Sequence, residues 1–156
     1  MQKNKALFLD RDGVINVEKN YVHKISDFEF IPEIFCIIKK YQQQGFLIFV
    51  VSNQAGIARK IYQEEDVIKL NNWMVEEFRK KGILITDVYY CPHHPEFTGE
   101  CECRKPNPGM ILKAIKEYNI DPENSVLIGD KESDIRAGVN AHIGKNIYIQ
   151  DLLKKG

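Results

Sequence analysis

The sequence lacks an excess of charge of either sign, and it lacks any long apolar run. Its 22 lysines and arginines balance 22 aspartates and glutamates, so the formal charge is zero and no net field draws the protein to nucleic acid or to a membrane. The longest apolar run, FLIFVV at 46–51, is far below the roughly 20 residues that span a bilayer. The first residues, MQKNKALFLDRDG, contain no signal-peptide segment. We therefore expect a cytoplasmic monomer that acts on a small charged metabolite and binds neither nucleic acid nor membrane.

Cysteine is also scarce, with four residues in the chain, and three of these fall between positions 91 and 103. A reducing compartment argues against a disulfide framework. The set Cys91, His93, Cys101 and Cys103 reads C-x-H-x7-C-x-C, a local spacing typical of a closed zinc site. His94 is an alternative to His93 on spacing alone, and redox use or unrelated thiols are alternatives to zinc. Four protein ligands leave no open position, so we predict a structural Zn²⁺ that fixes the loop.

Short β-rich runs alternate with helical patterns along the whole chain. Strands are predicted at 6–10, 46–52, 87–91, 125–130 and 146–149, and amphipathic helices between them. This alternation predicts an α/β fold, a Rossmann-like three-layer sandwich with a mainly parallel sheet. A length of 156 residues suits one domain, 1–156. In such sheets, ligands bind beyond the carboxyl ends of the strands.

Polar residues end three of these strands. They are Asp10 and Asp12 in DRDG, Ser52 and Asn53 in VSNQAGIAR, and Asp130 and Asp134 in GDKESD. Each motif alone has a structural explanation, since DRDG suits a turn and an aspartate suits a helix N-cap. Together they supply oxygen ligands for Mg²⁺ and donors for a phosphate, all at one edge of the sheet.

The motifs DRDG, SN, RKP and GDKESD follow one another in the order found in haloacid dehalogenase-type phosphatases, which this chain resembles. The resemblance implies that Asp10 is the nucleophile and Asp12 the general acid and base. It also implies that Ser52 and Lys105 bind the transferring phosphoryl group. Mg²⁺ would then be held by Asp10, Asp12 and Asp130.

Longer stretches sharpen the resemblance, among them FLDRDGVIN, FVVSNQAGIAR, YYCPHHP and CECRKPNPGM. They are similar to the D-glycero-D-manno-heptose-1,7-bisphosphate 7-phosphatases of bacterial surface-sugar synthesis, capless enzymes of the histidinol-phosphatase-like group. This resemblance implies a capless fold with a zinc-binding loop, His93 as the histidine ligand, Arg104 as a catalytic-site residue that recognises substrate, and a sugar bisphosphate as substrate. The residues implied to bind it are Glu18, Lys19, Asn20, Tyr21, Ser52, Asn53, Gln54, Ala55, Arg104, Lys105 and Lys131. The non-reacting phosphate of a bisphosphate needs cations, for which Arg104 and Arg59 are candidates.

Other functions stay open at this point. Histidinol-phosphate phosphatases share the nucleophile motif and the zinc loop, but they typically have an NQDG-type second motif and lack the NPGM found here. A receiver-type signalling domain would carry its phosphorylated aspartate on a later strand. A zinc-stabilised nucleic-acid module would need a basic track with stacking aromatics. The sequence does not choose between the α and β anomers of the heptose.

Overall fold

The computed structural model describes residues 2–154, which form five strands and six α-helices. The strands are β1 (Ala6–Leu9), β2 (Leu47–Asn53), β3 (Asp87–Cys91), β4 (Val126–Gly129) and β5 (Lys145–Tyr148). The helices are α1 (Glu33–Gln43), α2 (Glu64–Lys80), α3 (Pro95–Thr98), α4 (Gly109–Tyr118), α5 (Glu132–Asn140) and α6 (Ile149–Leu153). Two 3-10 turns lie at Ile25–Asp27 and Pro122–Asn124.

The five strands form one parallel sheet in the order β3-β2-β1-β4-β5. The central strand is β1, where Leu9 lies opposite Val50 of β2 and Ile128 of β4. Each predicted strand is present within one or two residues of its predicted bounds. The predicted α/β class with a parallel sheet is confirmed.

Alternate residues of the sheet pack into two separate cores, because successive side chains of a strand point to opposite faces. On one face Leu7 and Leu9 pack with apolar residues of α1 and α2, and on the other Ala6 and Phe8 pack with those of α4 and α5. Helices therefore cover both faces, which confirms the three-layer arrangement.

The segment between β1 and β2 holds only a loop, the first 3-10 turn and α1. The sheet edge that ends in Asp10 is therefore framed by loops, as the capless prediction requires. None of the helices in residues 2–154 combines the length and hydrophobicity needed to cross a membrane. Cys36 lies within the apolar pattern of α1, which would favour a buried thiol, but the structure leaves this residue exposed.

Candidate active site

A cavity of about 560 Å³ lies at the carboxyl ends of the central strands. Among the predicted site residues, those on its wall are Asp10, Asp12, Glu18, Asn20, Tyr21, Asn53, Gln54, Ala55, Arg104, Lys105 and Lys131. The predicted residues Lys19, Ser52 and Asp130 do not line it. Lys19 forms an exposed ion pair with Glu29 at 3.1 Å, and Ser52 is buried just beneath the wall, where Gln54 Nε2 donates to its hydroxyl at 3.2 Å.

A buried cluster of charges joins three segments of the chain. Lys105 Nζ lies 3.0 Å from Asp10 Oδ1 and 2.5 Å from Asp134 Oδ1, and it donates to the carbonyl of Val51 at 2.9 Å. The three charged side chains are each less than a tenth exposed. The lysine that follows the cysteine loop is therefore tied to the end of β1, the end of β2 and the first turn of α5.

Asn53 holds the main chain of the same lysine. Its side chain accepts from the Lys105 main-chain N–H at 3.0 Å and donates to the Lys105 carbonyl at 3.3 Å. Asn53 thus positions a cation and is also part of the cavity wall.

Burial governs the protonation of this cluster. It raises the pKa of Asp10 well above its usual range, aided by the neighbouring carboxylates and opposed by Lys105. Burial also raises the pKa of Asp130. Burial by itself would raise the pKa of Asp134, but the charge and the hydrogen bond of Lys105 outweigh burial and lower this pKa. Burial by itself would lower the pKa of Lys105, but its two aspartate partners outweigh burial and raise this pKa. The lysine stays charged, and the site holds more carboxylates than the lysine can neutralise.

The donor set fits a magnesium ion. Carboxylate oxygens of Asp10, Asp130 and Asp134 lie within 4.8 Å of one another, and hard oxygens of this kind are what Mg²⁺ prefers. Within residues 2–154, Asp130 Oδ1 is buried with no hydrogen-bond partner, a state that a cation would relieve. Gly13 makes room for this carboxylate, because a Cβ on Gly13, whose φ is +93°, would overlap Asp130 Oδ2.

The carboxylate of Asp12 is directed elsewhere. It accepts from the Arg11 guanidinium at 3.1 Å, from Asn16 Nδ2 at 3.0 Å and from Gln54 Nε2 at 3.1 Å. The structure therefore groups Asp134, and not the Asp12 carboxylate, with Asp10 and Asp130. Asp134 is itself occupied by Lys105 and by the main-chain N–H groups of Asp130 and Lys131.

The cysteine loop brings together three of its four predicted zinc ligands. Cys101 Sγ lies 3.5 Å from Cys91 Sγ and 3.6 Å from Cys103 Sγ. Zn–S bonds of about 2.3 Å in tetrahedral geometry separate sulfurs by roughly 3.8 Å, so these spacings suit a metal. Cys91 and Cys103 are joined as a disulfide in the structure, which differs from the reduced cluster predicted. A disulfide leaves the converging third thiol without a role, whereas a zinc ion uses all three.

The two histidines of the loop differ in their surroundings. Neither ring belongs to the group of three sulfurs. His94 Nδ1 accepts from the Glu96 main-chain N–H at 3.1 Å and so caps α3, and His94 also lines the cavity. This occupation of His94 leaves His93 as the better candidate for a fourth ligand.

The cavity wall includes the predicted cation Arg59, whereas sequence reasoning missed Tyr62 and Arg11. Arg59, an exposed cation on the cavity wall, lies with its guanidinium carbon 5.3 Å from the centre of the Phe97 ring. Tyr62 donates to Gln54 Oε1 at 2.6 Å, and burial raises the pKa of Tyr62 to about 12, so it stays a donor. Arg11 is fully buried. Neither Tyr62 nor Arg11 gives a signal in the sequence, because both act through contacts between distant segments.

Known proteins resemble this chain over most of its length. A family model described as HAD-hydrolase-like matches residues 102–144. A Campylobacter jejuni protein named D-glycero-alpha-D-manno-heptose-1,7-bisphosphate 7-phosphatase is 49% identical over 154 residues, 99% of this chain and 87% of that protein. A Haemophilus influenzae protein named for the beta form is 41% identical over 151 residues, 94% of this chain and 82% of that protein.

A solved structure agrees with these relatives. The crystal structure of the D,D-heptose 1,7-bisphosphate phosphatase from B. bronchiseptica, complexed with magnesium and phosphate, matches with a TM-score of 0.85 and 25% identity. The match covers 97% of this chain and 87% of that one. On the strength of these matches and of the parallel sheet, the chain belongs to the D-glycero-D-manno-heptose-1,7-bisphosphate 7-phosphatase family of haloacid dehalogenase-like phosphatases, which are phosphoric monoester hydrolases.

Proposed function

We propose that this chain is a magnesium-dependent phosphatase that removes the 7-phosphate of D-glycero-D-manno-heptose 1,7-bisphosphate in bacterial nucleotide-activated heptose synthesis for surface polysaccharide. The observation that carries the proposal is the placement of Asp10. It ends the central strand on the wall of the cavity and lies 3.0 Å from the buried ammonium of Lys105. The relatives named for this reaction match nearly the whole chain.

The first step is phosphoryl transfer to Asp10. A carboxylate oxygen of Asp10 attacks the phosphorus of the 7-phosphate, and the bond between phosphorus and the C7 oxygen breaks. A proton held by Asp12 passes to that oxygen, so the sugar leaves as an alcohol. Lys105, on the cavity wall, stabilises the charge on the transferring group. Ser52, whose hydroxyl accepts from Gln54 just beneath the wall, would donate its own hydroxyl hydrogen to that group from there.

The second step is hydrolysis of the aspartyl-phosphate. Asp12, now ionised, takes a proton from a water molecule as that water attacks the phosphorus. The bond to the Asp10 oxygen breaks, which releases inorganic phosphate and restores both the Asp10 carboxylate and the protonated Asp12.

Two metals complete the proposal. When bound by Asp10 and Asp130, Mg²⁺ supplies positive charge that offsets the repulsion between a carboxylate nucleophile and a phosphate dianion. The carboxylate of Asp12, the third predicted ligand, is engaged by Arg11, Asn16 and Gln54. With Cys91 and Cys103 reduced, a structural Zn²⁺ on Cys91, His93, Cys101 and Cys103 would fix the loop that presents Arg104 and Lys105.

Substrate selection falls to the loops around the open cavity. A bisphosphate carries a second phosphate away from the reacting one, and cations are needed for it. Arg104 and Lys131 lie on the wall with Arg59 and supply them. Hydroxyl groups of the sugar would meet the segment from Glu18 to Tyr21. A cytoplasmic location, a monomeric state, a single domain and the absence of nucleic-acid binding stay predictions.

The test is a phosphate-release assay on purified protein with both anomers of heptose 1,7-bisphosphate and with histidinol phosphate. We expect magnesium-dependent release from a heptose anomer, and a product in which ³¹P NMR finds the remaining phosphate on C1. Both anomers are needed because relatives named for each match this chain.

The Asp10→Asn variant serves as the inactive control, since it keeps the shape of the side chain and removes the nucleophilic carboxylate. A preference for histidinol phosphate would contradict the proposed substrate and leave the mechanism standing. Release of the 1-phosphate would contradict the proposed orientation of the sugar.

A further inference from the structure

The side chain between the two aspartates of DRDG is an arginine with no exposure to solvent. The relative exposure of Arg11 is 0%, although a charged side chain is almost never fully buried unless it is paired. It makes a main-chain and a side-chain contact besides its pair with Asp12, donating to the Val22 carbonyl at 2.7 Å and to Asn71 Oδ1 at 3.3 Å. Because these contacts fix the position of the Arg11 guanidinium, Arg11 can in turn fix the side chain with which it pairs.

Arg11 grips Asp12 through the fork of its guanidinium. Nη2 lies 3.1 Å from both carboxylate oxygens, and Nε lies 3.3 Å from Oδ1. A planar fork defines the orientation of a carboxylate, which a point charge such as an ammonium does not. Arg11 therefore sets the direction in which Asp12 faces.

The anchors of Arg11 connect Asp12 to the walls of the cavity. Val22 directly follows Tyr21, which lines the cavity, and Asn71 belongs to α2, which packs on the sheet. From the other side Gln54 contacts Asp12, and the Tyr62 hydroxyl holds Gln54. The orientation of Asp12 is thus set by contacts from the substrate loop, the loop after β2 and α2.

We propose that Arg11 is a positioning residue that orients the Asp12 carboxylate for proton donation to the leaving sugar oxygen. This inference rests on the proposed function, in which Asp12 is the general acid. Arg11 is not among the residues that line the cavity, so it acts on the reaction only through the Asp12 carboxylate. Its loss should therefore harm the proton transfer and spare the attack of Asp10.

Two substrates separate these effects. The alcohol that leaves from a sugar phosphate needs a proton, whereas the p-nitrophenolate that leaves from p-nitrophenyl phosphate is stable as an anion. The ratio kcat/KM reports events up to phosphoryl transfer, so it isolates the acid step from the later hydrolysis. Positioned acid catalysis contributes about 10²- to 10⁴-fold.

The experiment compares kcat/KM for heptose 1,7-bisphosphate and p-nitrophenyl phosphate in Arg11→Met and Arg11→Lys. We expect Arg11→Met to lower the value for the sugar phosphate by about 10²-fold and the value for the aryl phosphate far less. Arg11→Lys keeps the charge but lacks the planar fork. Its kcat/KM for the sugar phosphate should lie between that of Arg11→Met and that of the unsubstituted protein. An equal loss on both substrates would mean a merely structural role and would overturn the proposal.

A second pair of variants tests the proposal even if the Arg11 variants do not fold. Asn71→Ala removes an anchor of Arg11 and leaves Asp12 untouched, so it should shift the ratio of the two substrates in the same direction by a smaller factor. Asn72→Ala makes the same chemical change one residue along α2 at an exposed position and should leave the ratio unchanged. Equal ratios in the two asparagine variants would contradict the coupling of Asn71 through Arg11.

The Asp12→Asn variant separates the acid role of Asp12 from the positioning role of Arg11. If it fails to shift the substrate ratio, the acid role of Asp12 in the proposed function falls. If it shifts the ratio and Arg11→Met does not, the proposed function stands and the role of Arg11 is refuted.

Discussion

Replacing Asp134 by asparagine tests the buried ion pair that holds Lys105. The Asp134 Oδ1 atom lies 2.5 Å from Lys105 Nζ, and Oδ2 accepts the main-chain N–H groups of Asp130 and Lys131 at 3.1 and 3.2 Å. An asparagine has one acceptor and one donor here, so it keeps the main-chain contacts only by turning its amide N–H toward the ammonium. The substitution therefore breaks the pair and leaves a buried cation with one partner fewer.

The magnitude follows from the burial of both partners. Each side chain is only 3% exposed, and removing one partner of such a pair costs about 3 to 5 kcal/mol when the other charge is left unpaired. Lys105 keeps Asp10 as a partner at 3.0 Å, so we expect the lower end, about 3 kcal/mol. With a urea m-value of about 2 kcal/mol/M, the unfolding midpoint should fall by roughly 1.5 M. A displaced Lys105 should also lower kcat/KM by about 10²-fold, the effect of misplacing a catalytic group by about 1 Å.

Urea unfolding followed by circular dichroism, together with the phosphatase assay, measures both effects. The matched control is Glu132→Gln, which removes the same charge two residues away on α5, at an exposed position. Relative to this control, a loss of stability no larger than the roughly 1 kcal/mol of an exposed pair would refute the reasoning.

Further predictions concern the nucleophile, the cysteine loop and the metal site. Asp10→Asn should abolish turnover and keep the circular dichroism spectrum and the zinc content, and a rate near that of the original protein would refute Asp10 as nucleophile. Cys101→Ser should lower the zinc content and the melting temperature together, and unchanged zinc stoichiometry would show that other residues hold the ion. Gly13→Ala places a Cβ against the Asp130 carboxylate and should raise the Mg²⁺ concentration needed for half-maximal activity about tenfold, an effect of roughly 1.4 kcal/mol. An unchanged magnesium titration would argue against Asp130 as a ligand.

Much of the fold could be predicted because the apolar pattern is strong where the core forms. The run at 46–52 has the composition of a buried strand, and the spacing of Val67, Leu70, Met74 and Phe78 is that of the buried face of α2. The short helices α3 and α6, with four and five residues, complete too few turns for a period to be visible. Patterns thus predicted the longer elements of both cores and missed the two short helices, although Ile149 of α6 belongs to one of the cores.

The location of the site could be predicted from the sequence more fully than the arrangement of its side chains. Strand ends in a parallel sheet meet at one edge, so Asp10 and Asp130 were expected to be neighbours. The direction of a side chain depends on contacts across the chain, which the local sequence does not contain. Asp12 faces Arg11 and not the proposed metal position for this reason, and Lys19 pairs with Glu29 although its neighbours Glu18 and Asn20 line the cavity.

The central position of β1 has a consequence for the kinetics of amide exchange. A strand with a partner on each side and a packed core on both faces exchanges its amide hydrogens only when the whole domain unfolds, whereas exposed loops exchange through local opening. Asp10, the proposed nucleophile, directly follows β1, while Glu18 and Asn20 lie on an exposed loop. In hydrogen–deuterium exchange, the amides of Ala6–Leu9 should therefore be among the last to exchange and those of the loop among the first. The loops can then vary in sequence and open locally without moving the carboxylate that we propose attacks phosphorus.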